Sequence, residues 1–149
     1  MNSLEKAIAI AVKVHAGRTD KGDSPYILHP LRVMLRLNTN EERIVGVLHD
    51  VVEDTEVTLE DLEKEGFSRE ILAALDSVTK REGEDYDDFI RRAEQNPLGR
   101  KVKLADLEDN CNPARIKNPT DEDYARIEKY RRAIVEINLK PNPLDSAET

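Results

Sequence analysis

Two histidines and a set of carboxylates stand where they could hold a metal ion. His49 and Asp50 are adjacent, and Glu53 and Asp54 follow within the next turn. Imidazole nitrogen beside carboxylate oxygen suits a divalent transition ion such as manganese, iron or zinc. On a helix advancing about 100° per residue, Ile44, Val47, Leu48, Val51 and Val52 form an apolar stripe. His49, Asp50, Glu53 and Asp54 then fall on the other side, with His49 stacked on Glu53 and Asp50 on Asp54. An ordinary solvated acidic face would give the same pattern. Twenty residues upstream of His49, His29 sits in Pro25-Tyr26-Ile27-Leu28-His29-Pro30, where it reads either as a ligand or as a helix-capping side chain. Asp106 lies between Ala105 and Leu107, where an unpaired carboxylate is costly. Either a metal or a buried ion pair with Lys103 or Arg100 would satisfy it. Asn110 shares the face of Asp106.

The elements that must position these residues are helices. Leu4, Ala7, Ile8, Ala11, Val12 and His15 recur at helical spacing. Gly17 ends that helix, and residues 17–28 are a loop of turn formers. The next helix opens at His29-Pro30, with Pro30 suited to the first position, and a third runs from Glu41 to Glu53. Thr58 and Asp61 resemble a capping box before a short helix. Further helices are predicted at 68–79, 86–95, 98–110 and 121–138, the last after a loop rich in Pro and Asn. No alternating strand pattern appears. The expectation is an all-α bundle of about seven or eight helices over residues 1–140, with 141–149 a disordered tail.

Aromatics are 4% of the chain and Trp is absent, so the core must be aliphatic. The net charge of −8 argues against a nucleic-acid binder, which needs a basic surface. The one cysteine, Cys111, cannot form an intramolecular disulfide, and a reducing cytosol fits. The apolar run Ile8–Val12 is too short to cross a bilayer. The chain is read as cytoplasmic, binding a small-molecule nucleotide and neither nucleic acid nor membrane; its oligomeric state is left open.

Taken together, PYILHP, HDVVEDT and VKLADLEDN resemble the HD hydrolase domain of the RelA/SpoT family. The likeness spans roughly residues 5–137 and is strongest to the stand-alone small alarmone hydrolases, the metazoan SpoT homologue among them. It implies an all-helical phosphohydrolase that removes the 3′-pyrophosphate of guanosine tetra- or pentaphosphate (ppGpp, pppGpp) with one manganese ion. By this resemblance His29, His49, Asp50 and Asp106 are the metal ligands. Glu53 and Asp54 match the acidic pair that handles the attacking water, and Asn110 matches a residue near the nucleoside. Arg18 and Lys21 stand where the family has an adjacent basic pair, here separated by Thr19 and Asp20. Lys103 is a third candidate for the substrate phosphates. Lys80, Arg81, Arg115 and Lys117 read as surface charge, His15 as a core histidine or one that supports a ligand, Tyr130 as core and Cys111 as a small filler.

One departure bears on specificity. Glu108 and Asp109 add negative charge after Asp106, where many family members are basic or neutral, which points to an altered substrate preference. No histidine follows His49, so the binuclear sites of other HD phosphodiesterases are not expected. Synthetase and regulatory domains are not expected either, so the chain should degrade alarmone and not make it. Two other functions compete: a phosphatase of the same fold acting on another nucleotide, and a catalytically silent nucleotide-binding regulatory module.

Overall fold

The structure, a computed structural model, describes residues 1–141. The expected tail falls almost wholly outside them. Nine α-helices account for most of the described chain: α1 (Ser3–His15), α2 (Leu28–Leu35), α3 (Asn40–Leu48), α4 (Val51–Asp54), α5 (Leu59–Lys64), α6 (Arg69–Ser77), α7 (Tyr86–Gln95), α8 (Pro97–Asn110) and α9 (Asp121–Leu139). A single 3-10 turn, Pro113–Arg115, follows α8. Among the described residues the only extended pairing is one isolated bridge between Thr19 and Pro25. The all-helical expectation holds.

Local chemistry sets the helix starts. Asn2, Thr39, Thr58 and Thr120 each cap a helix in a reciprocal capping box, satisfying amides that have no partner within the helix. Asn96 caps α8 with Pro97 in its first turn.

Helix α3 is the centre of the bundle. Ile44, Val45, Gly46, Val47 and Leu48 are all buried, packed by α1, α2, α6 and α8. Gly46 faces the end of α2 and the chain just beyond it: a Cβ there would lie 3.5 Å from Met34 Cα and 2.6 Å from Leu37 Cδ1. A second, smaller apolar cluster of Ile90, Leu107, Ala133 and Ile137 joins α7, α8 and α9. The aliphatic core expected from composition is present, with Phe67 and Phe89 its only buried aromatics among the described residues.

One expectation fails where it matters most. The third helix does not run unbroken from Glu41 to Glu53; it stops at Leu48 and resumes as α4 at Val51. The ring Nδ1 of His49 takes the Gly46 carbonyl at 2.6 Å, the acceptor that an unbroken helix would give to the Asp50 amide. Asp50 then leaves helical geometry, with φ −113° and ψ 6°. The break turns His49 and Asp50 inward, 5% and 6% exposed, instead of leaving them on a solvated face.

Candidate metal centre

Three segments of chain deliver the candidate ligands. His29 comes from the first turn of α2, His49 and Asp50 from the break between α3 and α4, and Asp106 from the middle of α8. All four are buried. Ligand atoms of His29, His49 and Asp50 lie within 4.8 Å of one another. Asp106 Oδ1 lies 2.9 Å from His29 Nε2 and 3.2 Å from His49 Nε2. The structure thus brings together residues as much as 77 positions apart in the chain.

The hydrogen bonds on the far side of each ring fix its chemistry. His49 Nδ1 faces the Gly46 carbonyl, and His29 Nδ1 faces Asp109 Oδ2 at 2.6 Å. Both partners can only accept, so both Nδ1 atoms carry the proton. Each Nε2 then faces Asp106 Oδ1 and needs either a second ring proton, making an imidazolium, or a metal ion shared with the carboxylate. Asp50 completes the set. Its Oδ2 accepts the Tyr26 hydroxyl and lies 3.9 Å from His49 Nε2, while its Oδ1 turns to His15 Nε2 at 3.2 Å. Two imidazoles and two carboxylates fit a divalent ion.

Burial opposes a charge on His49, yet the Asp50 and Asp106 carboxylates outweigh it and push the ring up to about 9. Asp106 is held well below the usual carboxylate range: burial works against this, but Lys103, His49 and His29 prevail. Burial, and next the Asp50 carboxylate, raise Asp54, with Arg18 opposing them.

A cavity of about 250 Å³ opens over the four residues, lined also by Glu53, Asp54, Lys80, Lys103, Asn110 and Arg115. Glu53 Oε1 accepts the Lys80 backbone amide at 2.7 Å, which holds the carboxylate at the cavity. A second cavity of about 400 Å³ adjoins the first and shares Tyr26, Asn110, Arg115 and Tyr130 with it. Arg18, Lys21 and Arg126 line this larger space.

The other sequence candidates divide. Asn110 donates from Nδ2 to Asp106 Oδ1 at 3.1 Å. Lys103 pairs with Asp106 Oδ2 at 3.1 Å and sits over the Phe89 ring, so it is the ion-pair partner; Arg100 instead caps the carbonyls of Ile137 and Lys140. Arg18 stacks on Tyr26 and reaches Asp54 Oδ2 at 3.5 Å. Lys21 lies outside the ligand cavity, bound to Asp123 at 2.8 Å. Arg115 is not surface charge: it bonds Asn110 Oδ1 at 2.7 Å and Asp109 Oδ2 at 3.0 Å. Tyr130 lines both cavities as well as packing in the smaller cluster.

The acidic pair after Asp106 also reads differently in three dimensions. Glu108 pairs with Arg36 on the surface at 3.1 Å. Asp109 is 2% exposed and faces His29, Arg32 and Arg115. Burial opposes its ionisation, but His29 and the two guanidiniums hold it down at about 2. Its charge is spent internally and does not repel a substrate. Tyr26 and Asp109 are the site residues that sequence reasoning missed. Both carried a signal: Tyr26 is three residues before His29, and Asp109 three after Asp106.

No family model matches the chain. It is 32% identical over 145 residues to a GTP pyrophosphokinase of Myxococcus xanthus, covering 85% of this chain and 19% of that protein. It is 32% identical over 119 residues to a guanosine-3′,5′-bis(diphosphate) 3′-pyrophosphohydrolase of Aquifex aeolicus, covering 72% and 17%. A protein of that same name from Borreliella burgdorferi is 44% identical over 82 residues, 52% of this chain and 12% of the relative. The chain therefore spans between an eighth and a fifth of the length of these curated relatives. Among solved structures it superposes on a metazoan ortholog of SpoT, described as hydrolysing ppGpp with a role in starvation responses. The TM-score is 0.76 at 22% identity, covering 92% of this chain and 85% of that one. No helix among the described residues is long and apolar enough to cross a membrane. The motifs, the relatives and the fold agree: the chain is a homologue of the SpoT/RelA-type proteins and has their all-helical HD-type fold.

Proposed function

We propose that this chain is a manganese-dependent pyrophosphohydrolase that removes the 3′-pyrophosphate of guanosine tetra- or pentaphosphate, acting in the cytoplasm as one domain over residues 1–140. The observation that carries the reading is the convergence of two buried Nε2 atoms on Asp106 Oδ1 beside Asp50. His29, His49, Asp50 and Asp106 would hold the ion. Bound there, it supplies Lewis acidity toward a phosphoryl oxygen and a water of lowered pKa. Glu53, anchored by the Lys80 amide, takes a proton from the attacking water. Asp54 orients that water under the control of Arg18. Asn110 is tied to both Asp106 and Arg115, so it stands where a nucleotide passing between the cavities would meet it. Water adds to the phosphorus bonded to the 3′ oxygen, that ester bond breaks, the departing oxygen takes up the proton the water lost, and guanosine tetraphosphate yields guanosine diphosphate and pyrophosphate.

Net charge of −8 opposes a polyanionic substrate, so local cations must focus positive potential at the entrance. Arg18, Lys21, Arg115 and Arg126 gather in the larger cavity for that task. Replacing Arg18 by Ala removes one charged hydrogen bond, worth about 1.5–3 kcal/mol. The expected result is a KM raised about tenfold or more with metal affinity unchanged. Lys21→Ala should act in the same direction, more weakly, because Lys21 already serves Asp123. Steady-state kinetics alongside metal titration checks both.

Metal should also stabilise the fold, since it binds residues that converge only in the folded chain. At manganese one hundred times its Kd the gain is about 2.7 kcal/mol, or ~5–10 °C in Tm for a chain of this size. An unchanged melting temperature at saturating manganese contradicts a tight site.

A second reading, a phosphatase of the same fold for another nucleotide, is favoured by one observation: Arg18 and Lys21 are each already paired with a carboxylate. A panel of nucleoside mono-, di- and 3′-phosphorylated nucleotides, assayed beside guanosine tetraphosphate with manganese, separates the two. The alarmone reading expects the tetraphosphate to have the highest kcat/KM. A silent regulatory module would turn over none.

A further inference from the structure

We infer that Asp109 is a positioning residue of the metal centre, acting through His29, with Arg32 and Arg115 neutralising the charge this requires. The inference rests on the metal-binding reading above and goes beyond it, because it gives a role to a residue that is neither ligand nor acid–base group.

The two candidate histidine ligands are supported unequally. His49 Nδ1 meets a neutral backbone carbonyl, whereas His29 Nδ1 meets a carboxylate at 2.6 Å. A carboxylate acceptor locks the proton on Nδ1, leaves the lone pair on Nε2 and raises the basicity of the ring toward a metal. Asp109 reaches His29 from α8, three residues after Asp106, so one face of one helix supplies both a candidate ligand and the support of another. A lone carboxylate at 2% exposure would be costly to bury. Arg32 from α2 offsets this with Nε at 2.9 Å from Oδ1 and a terminal nitrogen at 3.3 Å from Oδ2. Arg115 adds a third contact at 3.0 Å. Two cations and one imidazole around one anion leave His29 firmly oriented, and they leave the cavity free of the negative charge that the sequence shows at this position.

The alternative is that Asp109 only anchors the two arginines. In that case its loss would destabilise the fold to the same extent with and without metal, and affinity would not change. The test uses the full chain and two variants, Asp109→Asn and Asp109→Ala, with folding checked by circular dichroism. Manganese affinity is measured by calorimetry. The histidine rings are read by long-range proton–nitrogen NMR with zinc as a diamagnetic probe. Asp109→Ala is expected to weaken manganese binding ~10–100-fold, the range for loss of an outer partner of a metal-bound histidine. Asp109→Asn keeps an acceptor oxygen but loses the charge, so its loss should be smaller. In the zinc-loaded wild type the His29 Nδ1 proton should appear strongly downfield, and the Ala variant should lose that signal. Should Asp109→Ala fail to fold, the isosteric Asn variant carries the measurement. Wild-type affinity and unchanged ring signals in the folded variants would overturn the inference while leaving the metal site standing. A wild-type chain that binds neither manganese nor zinc would overturn the metal-binding reading itself, and this inference with it.

Discussion

Replacing Asp50 by Asn is expected to abolish metal binding and turnover together. Asp50 is buried at the break between α3 and α4, with one oxygen 3.9 Å from His49 Nε2. The amide of Asn has no charge to offer a divalent ion. Manganese affinity should therefore fall by more than the ~10–100-fold seen when a supporting partner is lost, with turnover below detection at ordinary metal concentrations. Calorimetric titration with manganese, followed by assay, checks both. An Asp50→Asn protein that retains metal and activity would make Asp50 a structural residue, held only by Tyr26 and His15.

Glu53→Gln should separate the ion from the proton transfer. Glu53 is outside the set of converging ligand atoms, and its Oε1 is fixed by the Lys80 amide. Gln keeps the size and an acceptor oxygen for that amide, so the anchor and the fold persist. The lost function is the ability to accept a proton, which contributes ~10²–10⁴-fold. The expected result is a kcat lower by at least ~10², with KM and metal affinity near wild type. Normal turnover in this variant would leave Glu53 only its bond to Lys80. The paired variants make a diagnostic contrast: one loses the ion, the other keeps the ion and loses the rate.

What could be read from the sequence, and what could not, follows from how local each determinant is. The capping box at Thr58 and the periodicity of α9 are local, and the structure has them. The break at His49-Asp50 is not visible in periodicity, because it depends on an imidazole winning a carbonyl from a backbone amide. A helical wheel consequently placed His49 and Asp50 opposite the apolar stripe, where a solvated face and a metal site read alike, though they are buried. The motif resemblance, by contrast, grouped His29, His49, Asp50 and Asp106, and the fold brings these four together. Long-range pairing accounts for the remaining differences. Lys21 looked free but meets Asp123, 102 residues away. Asp109 read as negative charge bearing on the substrate but meets Arg32, 77 residues earlier. Arg115 looked like surface charge but closes a network between the two cavities. Nothing in a single sequence reports such partners; only a folded chain does.

The central claim is tested most directly by incubating the purified chain with guanosine tetraphosphate, with manganese and with chelator, and identifying the products by mass. The account predicts guanosine diphosphate and pyrophosphate in equal amounts, formed only when manganese is present. Intact guanosine tetraphosphate under manganese, alongside clear hydrolysis of another nucleotide, would contradict it.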